Sequence, residues 1–271
     1  VTSDSEDGEG VADTGDKVTI TGENFGTDPS DISVSFNGTP AEFELVDEST
    51  IVATTPADYQ TGSVTVTIHG YTMTGGAMFN PNSKGDVTVL YLQNYKQPFA
   101  KANDESWKNG EWWTPAVWNQ NAASFNAKGN TTVSGMQYKS EEGLTLAFQN
   151  GWDKEAYTDG KMWQVATLRP GRYRLEVTYA YTLVVTDAGN FISVLIAKGD
   201  SESDIPNVSD LEQLNGVYVA YDKMGTANDS GTLVTPSFEV TETTDVVIGF
   251  LTSLAKGNSY FKVTELKLIL E

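Results

Sequence analysis

Hydrophobic and polar residues alternate in short runs along the first 80 residues of the chain. A period of two over about four to eight residues, with turn-forming residues between the runs, predicts half-buried β-strands. The predicted strands are residues 18–21, 32–36, 41–45, 50–54, 62–69 and 72–79. Because no helical stretch interrupts them, these strands predict a small antiparallel sandwich.

The rest of the chain is also rich in strand patterns, and residues 172–181 (RYRLEVTYAY) alternate almost perfectly. Tyr173 and its alternate neighbours are expected on one face, and Arg174 and its alternate neighbours on the other. Roughly nine strands in about 185 residues predict a jelly-roll sandwich. Near the C-terminus the apolar alternation shifts by one residue at Thr264 and Glu265, which predicts a β-bulge. One short helix is expected around residues 208–214.

Turn-forming and polar residues separate the two strand-rich parts at residues 80–85 (NPNSKG). We therefore predict an all-β chain with two domains, residues 1–80 and 87–271, joined by a linker at residues 81–86. A length of 271 residues is natural for two domains of this kind.

The composition narrows the range of partners and chemistry. The formal net charge is −20 at pH 7, and an acidic surface repels phosphate backbones, so nucleic acid is not an expected partner. The chain contains no cysteine, which excludes disulfides, thiolate metal sites and cysteine nucleophiles. No run of about 18 apolar residues is present, so no membrane-spanning segment is predicted.

Three segments of the first domain carry a family resemblance. Residues 15–26 (GDKVTITGENFG), 34–41 (VSFNGTPA) and 54–56 (TTP) resemble the pattern of the IPT/TIG immunoglobulin-like family. The resemblance covers residues 1–80 and implies a small immunoglobulin-like sandwich. It further implies a rigid extracellular spacer or interaction module with no catalytic residues.

A second resemblance lies in the larger domain. Residues 160–174 (GKMWQVATLRPGRYR), supported by residues 114–118 (TPAVW) and 151–152 (GW), are similar to galactose-binding-like jelly-roll domains of surface lipoproteins from polysaccharide-utilising bacteria. The family is the domain of unknown function numbered 5013. The resemblance implies a cell-surface protein anchored to the outer membrane. Its signal and lipid-anchor cysteine are absent from this chain, and membrane contact would be made only through the removed lipid. Other surface proteins of a glycan-uptake system are further implied partners.

All six tryptophans lie between Trp107 and Trp163, and four of them fall within residues 107–118 (WKNGEWWTPAVW). This stretch shows neither strand nor helix periodicity, so a loop or short irregular strand is expected. The apolar face of a sugar stacks on an indole, while nearby amides and carboxylates bond to its hydroxyls. The predicted ligand-binding residues are Trp107, Asn109, Glu111, Trp112, Trp113 and Asn119.

An alternative interpretation is that these indoles only close one end of the sandwich. Trp112 and Trp113 are adjacent, so in an extended strand they would point to opposite sides and at most one would face a given site. Trp118 and Trp163 are expected in the core, and Trp152 fits either role.

Catalysis has little support in the sequence. The single histidine, His69, ends a predicted strand on its polar face, and no catalytic triad can be assembled around it. No cofactor is expected. The acidic residues 153–159 and 200–204 would suit calcium, but neither segment has the EF-hand pattern, and both are interpreted as solvated loops.

Three functions remain open from the sequence. The first is non-catalytic binding of a polysaccharide or oligosaccharide at the cell surface, with the first domain as a spacer. The second is a structural or adhesion module whose exposed aromatic residues bind another protein. The third, a glycosidase, would need two carboxylates facing one cleft.

Overall fold

Strands dominate the computed structural model, which describes residues 1–5, 10–102, 112–125, 134–150, 156–184, 189–225, 229–255 and 259–271. The chain divides into two units, Val1–Leu90 and Tyr91–Ile269. The predicted linker, residues 81–86, lies at the end of the first unit. Hydrogen bonds hold its beginning there, because Ser83 Oγ accepts from the Thr61 amide at 3.0 Å.

The first unit contains two four-stranded sheets, ordered β1-β2-β6-β5 and β4-β3-β7-β8, with antiparallel strand pairs. Its strands are β1 (Thr2–Ser3), β2 (Lys17–Thr21), β3 (Ile32–Phe36), β4 (Thr39–Ala41), β5 (Phe43–Asp47), β6 (Thr50–Thr54), β7 (Gly62–Ile68) and β8 (Tyr71–Met78). A 3₁₀ turn at Pro29–Asp31 precedes β3, and β9 (Gly85–Asp86) and α1 (Thr88–Tyr91) follow β8.

Alternation along these strands builds the core of the first unit. Val18 and Ile20 of β2 and Val34 and Phe36 of β3 are buried, while the residues between them reach the surface. The ring of Tyr59 lies 5.4 Å from the ring of Phe36 in an edge contact. These contacts give the sandwich one continuous apolar interior.

The second unit is a larger sandwich with longer strands. Its elements are β10 (Trp112–Trp113), β11 (Asn119–Gln120), α2 (Ala122–Phe125), β12 (Ser134–Lys139), β13 (Gly143–Asn150), β14 (Tyr157–Leu168), β15 (Gly171–Tyr179), β16 (Phe191–Lys198), a 3₁₀ turn (Glu202–Asp204), α3 (Leu211–Leu214), β17 (Val219–Lys223), β18 (Gly231–Val234), β19 (Phe238–Val240), β20 (Thr244–Leu254) and β21 (Ser259–Leu270). One sheet has the order β10-β12-β13-β21-β15-β18, with β19 also paired to β15. The other has five strands in the order β11-β14-β20-β16-β17.

Aromatic rings fill the space between these two sheets. Phe250 of the five-stranded sheet lies 5.0 Å from Phe148 and 6.5 Å from Phe261 of the larger sheet, between ring centroids. On β15, Tyr173, Leu175, Val177 and Tyr179 share one face, as the alternation predicts, and this face is buried, whereas Tyr181 lies beyond the strand and is exposed. The all-β class is confirmed, with a small immunoglobulin-like sandwich followed by a galactose-binding-like jelly roll.

Two further local predictions, the phase shift of the last strand and the short helix, can be compared with the structure. The phase shift of the last strand is visible in its burial, because Val263 and Leu266 are both fully buried although two residues, rather than one, lie between them. The expected short helix is one turn, Leu211–Leu214, with Asp210 at its N-cap. Within the described part of the chain, no helix has the length and apolar character needed to cross a membrane.

Candidate functional site

Half of the predicted ligand-binding residues lie in a stretch that the structure does not describe. Trp107, Asn109 and Glu111 fall within residues 103–111, outside the described residues. Their assignment therefore stays a prediction. Trp152 lies outside the described residues as well.

Trp112 and Trp113 form β10 and pair with β12, with Trp112 opposite Gln137 and Trp113 opposite Met136. Successive side chains of a strand point to opposite faces, so the two indoles point to opposite sides, as the sequence predicts. Each indole shares its face with the residue directly opposite it. Trp112 is only 5% exposed. This burial corrects the expectation of an accessible Trp112 ring, because it leaves no open face for a sugar.

Trp113 is partly buried and shares the inward face of its sheet with Met136 and Leu146, and its Nε1 is a buried atom with no hydrogen-bond partner among the described residues. Asn119 is exposed at the edge of the other sheet, where its Nδ2 donates to the carbonyl oxygen of Trp163 at 3.4 Å. Asn119 thus remains available to a ligand, whereas Trp113 offers only the exposed part of its side chain. Both are retained as predictions below.

The core assignments of two other tryptophans are confirmed. Trp118 is buried, with its ring 5.7 Å from Phe250 and its Nε1 donating to the carbonyl oxygen of Asn94 at 3.0 Å. Trp163 is also buried, but on the outer face of the five-stranded sheet, where it packs with Leu195 and Val247.

An open groove of about 490 Å³ lies over this outer face. It is lined by Lys161, Ser203, Asp204, Ile205, Pro206, Asn207, Asp210, Leu214 and Tyr218. All but Lys161 come from residues 199–218, which we call the covering segment. The segment is held down by Ile205 and Leu211, whose buried side chains join the cluster around Trp163.

A tight turn starts the covering segment. Gly199 has a φ of +120°, and a Cβ on it would lie 2.2 Å from Cγ of Asp204, so only glycine fits. The Asp204 Oδ2 atom accepts bonds from the amides of Asp200 and Ser201, both at 3.0 Å, and from the Ser201 hydroxyl at 2.6 Å. The bond from the Ser201 hydroxyl is the main cause of the lowered pKa of Asp204. Asp204 is therefore an ionised and immobilised carboxylate.

Lys161 of β14 reaches the groove from the sheet below. It is 6% exposed, and its Nζ donates to the carbonyl oxygens of Ile205 at 2.6 Å and Glu202 at 3.4 Å. Burial lowers the pKa of Lys161, while the carboxylates of Glu202 and Asp159 partly offset this effect. The ammonium therefore ties the covering segment to β14.

Tyr218 closes the other side of the groove. Its hydroxyl donates to Asp204 Oδ1 at 3.3 Å. Burial raises the pKa of Tyr218, and the neighbouring Asp204 carboxylate adds to that rise. Asn207 and Asp210 are exposed at the rim. The groove thus combines carboxylate, ammonium, amide and phenol groups with the apolar surfaces of its other lining residues.

Two family models match the chain. Residues 8–83 match the IPT/TIG domain, and residues 93–249 match the domain of unknown function DUF5013. The chain belongs to the DUF5013 family. All of the groove residues lie inside the DUF5013 match. No curated protein matches this chain.

Several solved structures resemble the DUF5013 chain at low identity. The carbohydrate-binding module TmCBM61, solved with β-1,4-galactotriose, is 11% identical with a TM-score of 0.33, over 67% of this chain and 98% of that one. The xylan-binding domain CBM22-1 of Paenibacillus barcinonensis Xyn10C is 12% identical with a TM-score of 0.31, over 63% and 97%. The K3 adhesin domain of Lys-gingipain from Porphyromonas gingivalis is 11% identical with a TM-score of 0.32, over 57% and 91%.

Sequence reasoning missed the groove of the DUF5013 domain. The sequence predicts a solvated loop at residues 200–204, and the only local signal for the groove is the glycine before this acidic turn.

Among the described residues, no group of three or more acidic, histidine or cysteine side chains could hold a metal ion. His69, in the first unit, is exposed and lies 3.3 Å from a carboxylate oxygen of Asp31.

Proposed function

We propose that the second unit binds carbohydrate without cleaving it, and that the groove is its binding site. The observation that carries this proposal is the fixed set of hydrogen-bonding groups around the Tyr218 ring. Sugar hydroxyls both donate and accept, so they suit a surface that offers both kinds of partner.

The hydrogen-bonding groups of the groove differ in how strongly the protein's own hydrogen bonds fix their positions. Asp204 Oδ1 receives only the long bond from Tyr218, so it can accept a further bond from a hydroxyl. Asp210 and Asn207 at the rim add a carboxylate and an amide. Immobilised polar groups lose little conformational freedom on binding, which favours affinity.

Shape and apolar surface suit the same ligand class. A volume of about 490 Å³ lies within the range of roughly 300–1,000 Å³ that is common for small-ligand sites. Tyr218, Leu214 and Pro206 provide apolar surface for the C–H face of a pyranose ring. Because the groove is open, a longer chain can extend beyond it. We expect a dissociation constant of about 1 μM to 1 mM.

The finer predictions from the sequence are carried forward as part of this proposal. Trp113 and Asn119, together with Trp107, Asn109 and Glu111, are proposed as a second contact surface for the polysaccharide. We also propose a cell-surface location with a lipid anchor on the outer membrane, and a spacer role for the first unit. The proposed location and spacer role rest on the family resemblance, and the contact surface rests on the residue types in residues 107–119.

The test is calorimetric titration of the full chain with neutral polysaccharides, namely galactan, xylan, galactomannan and a soluble glucan. The rim variants Asn207→Ala and Asp210→Ala should weaken binding about tenfold or more because each removes a polar contact. Glu212→Ala is the matched control, since Glu212 is an exposed acid two residues from Asp210 that does not line the groove.

Two results would contradict the proposal. If none of these polysaccharides binds, either as such or in a carboxylated form, carbohydrate is the wrong ligand class, and the adhesion alternative becomes the better hypothesis. If binding occurs but both rim variants behave like Glu212→Ala, the groove is the wrong site. Trp113→Ala then shows whether the aromatic surface is the site instead.

A further inference from the structure

The ionisable groups of the groove are strongly unbalanced in sign. The covering segment carries five acids and no base: Asp200, Glu202, Asp204, Asp210 and Glu212. Among the residues that the structure describes, Lys161 is the only basic one that lines the groove. Asp159, which precedes it on β14, adds another carboxylate and accepts from the Val208 amide at 2.8 Å. A ligand in the groove therefore meets a surplus of negative charge.

The single cation is already engaged by the protein. Lys161 donates to two backbone carbonyls, and an ammonium has three N–H donors, so at most one remains for a ligand. Its side chain is also buried. The ammonium is thus poorly placed to take a carboxylate or sulfate in a two-point ion pair.

Hydrogen-bond chemistry points the same way as charge. Asp204 Oδ1 and the Asp210 carboxylate are acceptors with free capacity that face the groove, and the Asn207 amide at the rim adds an uncharged donor and acceptor. A uronate or sulfate group presents only acceptors, so it would leave these oxygens unpaired or repel them. A hydroxyl can donate to them. Both arguments disfavour anionic sugars at this site.

From these two observations we infer that the groove selects uncharged glycans and rejects carboxylated or sulfated ones. The inference rests on the proposed function, because it names the class of carbohydrate that the same groove takes. Discrimination comes from the acids of the covering segment, which act as repulsive elements against the wrong ligand.

The experiment compares one polysaccharide in two charge states. A neutral polysaccharide that binds, such as galactan, is titrated into the full chain before and after oxidation of its primary hydroxyls to carboxylates. The carboxylated form should bind at least about tenfold more weakly. Raising the salt concentration should reduce the difference in affinity between the neutral and the carboxylated form. The reason is that the Debye length falls from about 8 Å at 0.15 M to about 3 Å at 1 M.

Charge variants distinguish the effect of the acids near the groove from the effect of the chain's net charge. The double variant Asp200→Asn and Glu202→Gln removes two acids of the covering segment that do not line the groove. It should raise the affinity for carboxylated galactan about threefold or more. The matched control, Glu44→Gln and Glu48→Gln, removes the same charge from exposed residues of the first unit and should leave that affinity unchanged.

Each outcome decides between the two proposals. Equal or tighter binding of the carboxylated form overturns the selectivity but leaves carbohydrate binding intact. An equal gain in the variant and its control also overturns it, since the discrimination then comes from net charge alone. Absence of binding by either form of every polysaccharide rejects the proposed function, and the selectivity with it.

Discussion

The two units differ in how completely their buried polar groups are hydrogen-bonded. In the first, the buried Thr61 hydroxyl bonds with Ser83 Oγ at 2.6 Å and accepts from the Asn80 amide at 2.9 Å. In the second, five buried side-chain atoms among the described residues have no hydrogen-bond partner: Trp113 Nε1, Gln120 Oε1, Gln137 Oε1, Thr145 Oγ1 and Asn150 Nδ2. An unpaired buried polar atom costs about 1–3 kcal/mol of stability. Under the proposed function, the first unit is a spacer and the second is the binding module.

The units also differ in what lies outside their sheets. The edge strand β8 of the first unit is exposed along most of its length. The second unit places the covering segment over the outer face of its five-stranded sheet and buries Trp163, Leu195 and Val247 beneath it. The groove is formed by this added layer, so the site depends on the layer as well as on the sandwich.

Large-to-small substitution in each core should separate the roles of the two units most strongly. Phe250→Ala should lower the free energy of unfolding of the second unit by about 3–5 kcal/mol, because Phe250 packs against three other aromatic rings. Polysaccharide binding should fall with it. Denaturant unfolding and calorimetric titration measure both effects.

Phe36→Ala is the matched change in the first unit, where Phe36 packs on Tyr59. It should destabilise that unit by a similar amount, about 3–5 kcal/mol, and leave binding unchanged. Loss of binding in Phe36→Ala would show that the first unit contributes to the site, which would end the division into spacer and binding module.

Alkaline pH should destabilise the second unit more than the first. Burial raises the pKa of Tyr59 in the first unit and of Tyr157, Tyr173 and Tyr218 in the second. A raised folded-state pKa gives stability that is complete below pH 10, the unfolded value, and is lost as pH rises towards the folded value. The expected loss is about 1.4 kcal/mol per tyrosine for each pH unit above 10. The pKa of Lys161 is lowered, so below pH 10.5 this residue makes the stability of the second unit rise with pH instead of fall.

Unfolding measured between pH 9 and pH 11.5 tests this difference. Tyr157→Phe should reduce the pH dependence of the second unit, since it removes one of the three hydroxyls whose pKa is raised there. Equal slopes for the two units in the native protein would contradict the assignment.

Removal of the Lys161 ammonium should loosen the covering segment without unfolding the sandwich. Lys161→Met deletes two bonds from a charged donor, each of which contributes about 1.5–3 kcal/mol. Hydrogen exchange at residues 199–218 should accelerate while exchange in β20 stays slow. Unchanged exchange in the covering segment would show that the Trp163 cluster alone holds it.

Valine substitution of one buried threonine in each unit gives the smallest expected effects, with opposite signs. Thr61→Val should lower the free energy of unfolding by about 1–3 kcal/mol, because it leaves the Asn80 amide without its acceptor. Thr145→Val removes an oxygen that has no partner and should be neutral or stabilising by about 0.5 kcal/mol. Thermal denaturation of both variants tests the contrast, and destabilisation by Thr145→Val would show that water satisfies this hydroxyl.

Much of the fold was predictable because it follows from local alternation. The buried face of β15 and the phase shift before Leu266 were both read from the order of apolar residues, since successive strand side chains point to opposite faces. The opposite orientation of Trp112 and Trp113 follows from the same rule. Whether either face is covered does not, because burial depends on segments distant in sequence.

The groove shows where sequence reasoning ends. Lys161 and Ile205 are 44 residues apart, yet the Nζ of one bonds to the carbonyl oxygen of the other. No local pattern marks such a contact, because the pairing of β14 and the course of the covering segment bring the two together. Strand positions, the identity of the first domain and the acidity of the groove were determined by the sequence alone. Which tryptophans are sealed, and which polar groups meet in one groove, was decided only by the tertiary structure, because long-range packing sets both.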